Sequence, residues 1–195
     1  MRTAEIKRET NETKVYLKLD LDGNGISKID TGCGFLDHML TLFSSHSRFD
    51  LCVEAKGDTN VDYHHLTEDV GIVLGEAFKK ALGDKKGIQR YGDIILPMDE
   101  ALILCALDLS GRSFLDYRVT MPTEKVGDFD TELGEEFWYG FSRKAECTLH
   151  FQMLAGKNSH HILEACFKAA AHCFKDAVKI EKGYEDVLPS SKGVL

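Results

Sequence analysis

The 195-residue sequence has no block of basic residues and no long apolar run. Its net charge of −8, with no Arg/Lys stripe interleaved with aromatic residues, disfavours nucleic-acid binding. No apolar stretch approaches the roughly 18 residues that a membrane span requires, and residues 1–5 lack a signal-peptide core. We therefore expect a cytoplasmic globular protein that binds neither nucleic acid nor membrane.

The sequence also lacks two common binding motifs. The glycines at 32–34 have neither the spacing nor the Lys-Ser/Thr ending of a phosphate loop. No two of the six cysteines have C-x-x-C spacing, and several lie in apolar surroundings. We interpret them as reduced, buried small hydrophobic residues rather than zinc ligands or nucleophiles.

One short motif is present twice. His64-His65-x-x-Glu68 recurs 96 positions later as His160-His161-x-x-Glu164, and each copy opens a segment with helical apolar spacing. On a helix, residues i and i+4 share a face, while i and i+1 point about 100° apart. The first histidine and the glutamate of each copy can therefore bind one ion, and the second histidine a different ion. The duplication predicts a two-metal site.

The rest of the chain repeats with a similar spacing. The first thirty residues are expected to form antiparallel strands, with alternation at 15–21. An apolar helix runs from about 34 to 47, and a strand at 49–55 leads to the first His helix. Further strands at 94–96, 101–107 and 114–119 precede a helix near 133–138, a strand at 147–154 and the second His helix. This order predicts an α+β fold, a tandem duplication of a βαβ-type half with two four-stranded sheets and helices packed between or against them. The predicted first half spans residues 1–90, the second half spans residues 91–183, and a C-terminal tail spans residues 184–195.

Helical phase divides the candidate ligands into two sets. One set contains His64, Glu68, His160 and Glu164. The other contains His65 and His161 together with His38 and Glu136, which precede the two His motifs by 26 and 24 residues. Four imidazole and carboxylate donors without thiolate suit a mid-series divalent ion with open coordination positions. From the residues alone, His38 is equally compatible with a core position.

Other polar residues have unremarkable interpretations when taken alone. Glu12 lies in a polar run and is typical of a solvated loop, as are Arg90 and Arg112. The residues from Pro189 onward are typical of a frayed end. His172 lies in an apolar helical segment and is expected to be a hydrogen-bonded core residue.

Four separated motifs together resemble the imidazoleglycerol-phosphate dehydratase family. They extend over nearly the whole chain, in order: residues 35–40 (FLDHML), 64–71 (HHLTEDVG), 156–164 (GKNSHHILE) and 189–193 (PSSKG). The resemblance implies a hydro-lyase of histidine biosynthesis, with two Mn²⁺ ions per active site. It also implies a homo-24-mer with active sites between protomers.

The resemblance also implies the roles of individual residues. It retains the eight ligands given above, although Glu136 stands where several family members have histidine. It implies a catalytic role for Glu12, Glu164 and His65. The residues that it implies as contacts of imidazole-glycerol phosphate are Glu12, His38, His46, Arg90, Arg112, Lys168, Ser190, Ser191 and Lys192.

The implied reaction is dehydration of the substrate to imidazole-acetol phosphate through a ring held by two ions as an imidazolate. Either Glu12 or Glu164 would move the proton, and the sequence leaves this choice open. Two alternatives differ in chemistry. A two-metal phosphoester hydrolase would release phosphate, but the repeated motif has none of the aspartates common in such sites. A metal-holding scaffold shell would have no phosphate pocket.

Overall fold

The computed structural model describes residues 1–195, which form two halves with the same order of elements except for a short hairpin inserted in the second half. The first half contains β1 (Thr3–Glu9), β2 (Thr13–Asp20), β3 (Ser27–Asp30), α1 (Gly34–Ser47), β4 (Asp50–Gly57) and α2 (His64–Leu82). The second contains β5 (Tyr91–Met98), β6 (Ala101–Asp108), β7 (Phe114–Arg118), β8 (Lys125–Val126), β9 (Phe129–Asp130), α3 (Leu133–Ala145), β10 (Thr148–Ala155) and α4 (Ser159–Ala177).

Each half builds one four-stranded sheet with the same topology. The strand orders are β1-β2-β4-β3 and β5-β6-β10-β7. All neighbouring strands run antiparallel except the last pair of each sheet, β3 with β4 and β7 with β10, which run parallel. In each parallel pair the connection between the two strands contains a helix. Helix α1 lies between β3 and β4 in the chain, and α3 lies between β7 and β10.

The helices form a layer between the two sheets. Helix α2 packs on β1 and β2, and α4 packs on β5 and β6. Within the layer, α2 lies against α3 and α1 lies against α4. The rings of Phe78 and Phe174 meet with centroids 5.0 Å apart, and these residues are separated by the same 96 positions as the two His motifs. Equivalent residues of the two halves therefore touch at the centre of the core.

Glycine permits the close approach of α2 and α3. A Cβ built on Gly71 would overlap the carbonyl oxygen of Phe137, and one on Gly75 would overlap that of Phe141. Neither position could take a side chain without moving one helix away from the other. The start of α3, which carries Glu136, is thereby held beside the start of α2.

The α+β class and the two four-stranded sheets are confirmed. Two local expectations were wrong. Strand β3 pairs in parallel with β4, whereas the first thirty residues were expected to contain only antiparallel strands. The short hairpin of β8 and β9 was not predicted. The predicted boundaries of the two halves and the tail, at residues 90 and 183, stay a prediction. None of the helices is both long and apolar enough to cross a membrane.

Candidate active site

Three predicted site residues converge where α1 meets α4. The Nε2 atom of His160 lies 3.2 Å from Oε2 of Glu164, one helical turn later, and Nε2 of His38 lies 3.5 Å from the same oxygen. One donor atom from each residue lies within 4.8 Å of the other two. Two imidazoles and a carboxylate so arranged suit a divalent cation. These residues are called the α1–α4 cluster below.

Glu164 is the buried member of the α1–α4 cluster. Its side chain is 8% exposed, and its Oε1 lies 2.5 Å from Nζ of Lys168 on the next turn of α4. Burial acts to raise the pKa of Glu164, but Lys168, His38 and His160 outweigh it and lower the pKa overall. The carboxylate is therefore ionised and able to bind a cation at neutral pH.

The start of α2 carries a second group of candidate ligands. Nδ1 of His65 lies 2.9 Å from Oδ2 of Asp58 and 3.8 Å from a carboxylate oxygen of Glu12. The hydrogen bond to Asp58 is the largest cause that raises the pKa of His65. The backbone N–H of His64 donates to Asp62, which fixes the first turn of α2. His64, His65 and Glu12 are called the α2 cluster below.

His161 belongs to a third group, at the start of α4. Its Nδ1 lies 2.7 Å from Oε2 of Glu100, in the turn between β5 and β6. Oε1 of Glu100 accepts hydrogen bonds from the backbone N–H groups of Lys157 and Asn158. The hydrogen bond to His161 is the main reason that the pKa of Glu100 is lowered to about 2. The side chain of Asn158 caps α4 by accepting from the N–H groups of both histidines.

The remaining predicted ligands, Glu68 and Glu136, are half-buried on the neighbouring helices α2 and α3. Neither side chain forms a hydrogen bond or an ion pair within the chain. A Cβ on Gly140, one turn after Glu136, would lie 2.9 Å from the carbonyl oxygen of Glu68. The turns of α2 and α3 that carry Glu68 and Glu136 therefore lie close together.

Within one chain, His38 lies beside two members of the other predicted ligand set, and the grouping itself stays a prediction. His38 was grouped with His65, His161 and Glu136, but it lies beside Glu164 and its ring centroid is 5.7 Å from that of His160. Helical phase predicts on which face of its own helix a residue lies. It does not predict which other helix packs against that face.

Most of the predicted phosphate contacts lie in a separate part of the chain, called the basic region below. It contains Arg90, Arg112, Ser190, Ser191 and Lys192. Arg90 forms a bidentate pair with Asp108, and its Nη1 donates to the carbonyl oxygen of Pro189 at 2.9 Å. Ser190, Ser191 and Lys192 directly follow Pro189, the residue at which the tail contacts Arg90. The exposed Arg112 follows Gly111, which contacts Leu195 of the same tail.

His46 and His172 pack together further along α1 and α4. Their ring centroids are 5.4 Å apart, and both side chains are half-buried. Burial is the largest cause that lowers the pKa of His46, followed by His172. The expectation that His172 is a hydrogen-bonded core residue was wrong, because its ring faces His46 and forms no hydrogen bond.

The basic region and the α1–α4 cluster lie at opposite ends of α4. The backbone N–H of Arg90 donates to the carbonyl oxygen of Ala177, the last residue of α4. Glu164 precedes Ala177 by 13 residues, which corresponds to about 20 Å along a helix. A small ligand held by the cluster cannot reach Arg90 of the same chain.

The chain matches a family model and two bacterial relatives that all carry the same family name. The family model for imidazoleglycerol-phosphate dehydratase matches residues 31–174. The chain belongs to the imidazoleglycerol-phosphate dehydratase family. It is 55% identical to the imidazoleglycerol-phosphate dehydratase of Xanthobacter autotrophicus over 195 residues, covering all of this chain and 99% of the relative. The Azorhizobium caulinodans relative is 56% identical over 195 residues, with the same coverage.

Solved structures of imidazoleglycerol-phosphate dehydratases have the same fold. The Staphylococcus aureus enzyme superposes with a TM-score of 0.84 at 40% identity, covering 92% of this chain and 99% of that one. The Pyrococcus furiosus enzyme gives a TM-score of 0.84 at 34% identity, with 97% and 100% covered. This chain is thus an enzyme of the hydro-lyase class, as the sequence motifs indicated.

Sequence reasoning did not identify Asp58 or Glu100 as site residues. The carboxylate of each lies within 3 Å of the Nδ1 atom of a candidate ligand. Asp58 follows the end of β4 by one residue, and Glu100 lies in a two-residue turn between strands. Acidic residues at strand ends beside a His-His helix start could have been a signal for them.

Proposed function

We propose that this protein dehydrates imidazole-glycerol phosphate to imidazole-acetol phosphate in histidine biosynthesis, in a reaction that depends on two Mn²⁺ ions per active site. The observation that carries the proposal is the α1–α4 cluster, in which His38, His160 and Glu164 converge on one point. A phosphate-releasing hydrolase is disfavoured because all three donors are imidazoles or a glutamate, with no aspartate among them.

The donor chemistry of this chain fits manganese. Imidazole and carboxylate oxygen suit mid-series divalent ions, and all six cysteines lie outside the clusters. The residues that would hold the two ions are His38, His64, His65, Glu68, Glu136, His160, His161 and Glu164. When bound, the ions supply Lewis acidity toward the imidazole ring of the substrate.

The protein's own residues would move the proton and hold the phosphate. Glu12 is 53% exposed and lies beside His65, so its carboxylate is accessible to a bound molecule. Glu164 is paired with Lys168 and directed into the α1–α4 cluster, which favours Glu12 as the proton-transfer group. Arg90, Arg112, Ser190, Ser191 and Lys192 would bind the phosphate, with His46 and Lys168 as further substrate contacts.

We propose that each active site is formed between protomers of a homo-24-mer. Within one chain the α2 cluster does not join the α1–α4 cluster, and the basic region lies about 20 Å from Glu164 along α4. A substrate no longer than a glycerol phosphate joined to imidazole can contact all three groups only if they come from different copies.

The outer face of the second sheet supports self-association. Ile95 and Phe114 are 56% and 54% exposed on this face, which also carries Leu102 and Leu104. The equivalent face of the first sheet carries lysine, glutamate and aspartate at most positions. An exposed apolar patch on one sheet only is typical of a surface that is covered in an assembly.

We further propose that the enzyme acts in the cytoplasm. All six cysteines are free, and five of them are buried. A chain with this many unpaired thiols suits a reducing compartment.

The proposal is tested with the enzyme stripped of metal by a chelator and then given Mn²⁺. We expect imidazole-acetol phosphate to form only after Mn²⁺ is restored, without release of inorganic phosphate. Release of inorganic phosphate in step with substrate loss would favour the hydrolase. Full activity in the chelated enzyme would exclude the metal-dependent reaction.

A further inference from the structure

We infer that Glu100 and Asp58 are positioning residues, which hold the imidazoles of His161 and His65 so that Nε2 of each ring faces the ion. The inference deepens the proposed function and rests on it, because it requires that both histidines bind metal. It assigns a role to two carboxylates that are not among the predicted metal ligands or substrate contacts.

The geometry is the same at the two histidines. Glu100 lies 2.7 Å from Nδ1 of His161, and Asp58 lies 2.9 Å from Nδ1 of His65. In both cases the carboxylate comes from a different element than the histidine: the β5–β6 turn for Glu100, and the end of β4 for Asp58. Each hydrogen bond therefore fixes a ring at a helix start against a neighbouring strand end.

The hydrogen bond also fixes the tautomer. An ionised carboxylate only accepts hydrogen bonds, so Nδ1 of the ring must carry the proton. The lone pair then lies on Nε2, the atom that would bind a metal ion. Nε2 of His161 lies 3.6 Å from Oδ2 of Asp99, whose side chain is 71% exposed. Carboxylate–histidine–metal arrangements of this kind orient the ring and increase its basicity. His38 and His160 differ, because their Nε2 atoms face Glu164, which is itself a predicted ligand.

Glu100 is itself held in place. Its second oxygen, Oε1, accepts from the backbone N–H groups of Lys157 at 3.1 Å and Asn158 at 2.8 Å. Asn158 in turn caps α4 through the N–H groups of His160 and His161. One side chain thus links the β5–β6 turn, the loop before α4 and the ring of His161.

The test substitutes Glu100→Gln. A glutamine can still accept from the two backbone N–H groups, but its amide N–H would donate to Nδ1 and leave the proton on Nε2. We expect Mn²⁺ affinity, measured by calorimetric titration of the chelated protein, to fall about 10- to 100-fold. The visible absorption of the Co²⁺-loaded protein should change as well. The thermal midpoint of the chelated protein should stay that of the wild type.

The matched control is Asp30→Asn, an exposed carboxylate on β3 of the first sheet whose side chain forms no hydrogen bond or ion pair. It should bind Mn²⁺ like the wild type. Adding Glu100→Gln to a His161→Ala variant should cause no further loss of affinity, and Asp58→Asn should behave toward His65 as Glu100→Gln does toward His161. Wild-type Mn²⁺ affinity in Glu100→Gln would overturn the inference and leave the proposed function intact. Failure of the wild type to bind Mn²⁺ would overturn the proposed function itself.

Discussion

The helix start of α4 places its predicted ligand side chains. Asn158 caps α4 and accepts from the backbone N–H groups of both His160 and His161. Adjacent histidines at a helix start diverge, so His160 faces Glu164 while His161 faces Glu100. The residue type therefore supplies the donor atom, and the turn of the helix decides which partner each donor meets.

Glu12→Gln tests the assignment of the proton-transfer group. We expect turnover to fall by at least 100-fold, because general acid–base catalysis typically contributes 10²- to 10⁴-fold. The KM should change little, because the substitution leaves the predicted phosphate contacts in place. The measurement is steady-state kinetics with saturating Mn²⁺. Unchanged turnover would remove Glu12 from the mechanism and leave Glu164 as the remaining carboxylate.

At the scale of elements, periodicity predicted most of the fold. The apolar spacing after His64 and His160 predicted α2 and α4, and the alternation of Val15, Leu17 and Leu19 predicted β2. The parallel pairing of β3 with β4 could not be predicted, because alternation reports which face is buried and not which strand is the neighbour. Strands β8 and β9, with two residues each, are too short to show any period.

The site was predictable in composition but less so in arrangement. The two His motifs predicted candidate metal ligands, and the helical spacing predicted that His160 and Glu164 would share a face, which the structure confirms. The partner of His38 depended on the packing of α1 against α4, which no local pattern encodes. Asp58 and Glu100 are single acidic residues at strand ends, and only the folded chain places them beside histidines.

The packing of α2 on α3 gives a stability prediction. Gly71→Ala places a Cβ against the carbonyl oxygen of Phe137, so one helix must shift. We expect a loss of about 1–3 kcal/mol in the free energy of unfolding, as for other overpacked cores. Thermal unfolding of the chelated protein should show this as a midpoint lower by about 2–4 °C for each kcal/mol.

Gly34→Ala is the matched control for Gly71→Ala. A Cβ on Gly34, the first residue of α1, would meet no atom within 4 Å. Its thermal midpoint should be unchanged or slightly raised, because alanine restricts the unfolded chain. Equal midpoints for Gly71→Ala and the wild type would show that α2 and α3 are not held at this distance.

At the scale of the whole molecule, the two halves share one core but do not share one site. Phe78 and Phe174 meet at the centre, yet the α2 cluster and the α1–α4 cluster remain separate within the chain. The basic region is a third, distant part. The duplicated fold thus presents the parts of a site on different surfaces, and assembly would bring them together.

Complementation between two inactive variants tests this account most directly. His65→Ala disables the α2 cluster, and His160→Ala disables the α1–α4 cluster. Each variant alone should be inactive, and so should either one after passage through chelation and Mn²⁺ addition. An equal mixture, dissociated by chelation and reassembled with Mn²⁺, should recover about one quarter of wild-type activity, because random assembly leaves that share of interprotomer sites intact. A reassembled mixture no more active than its components would contradict a site formed between protomers.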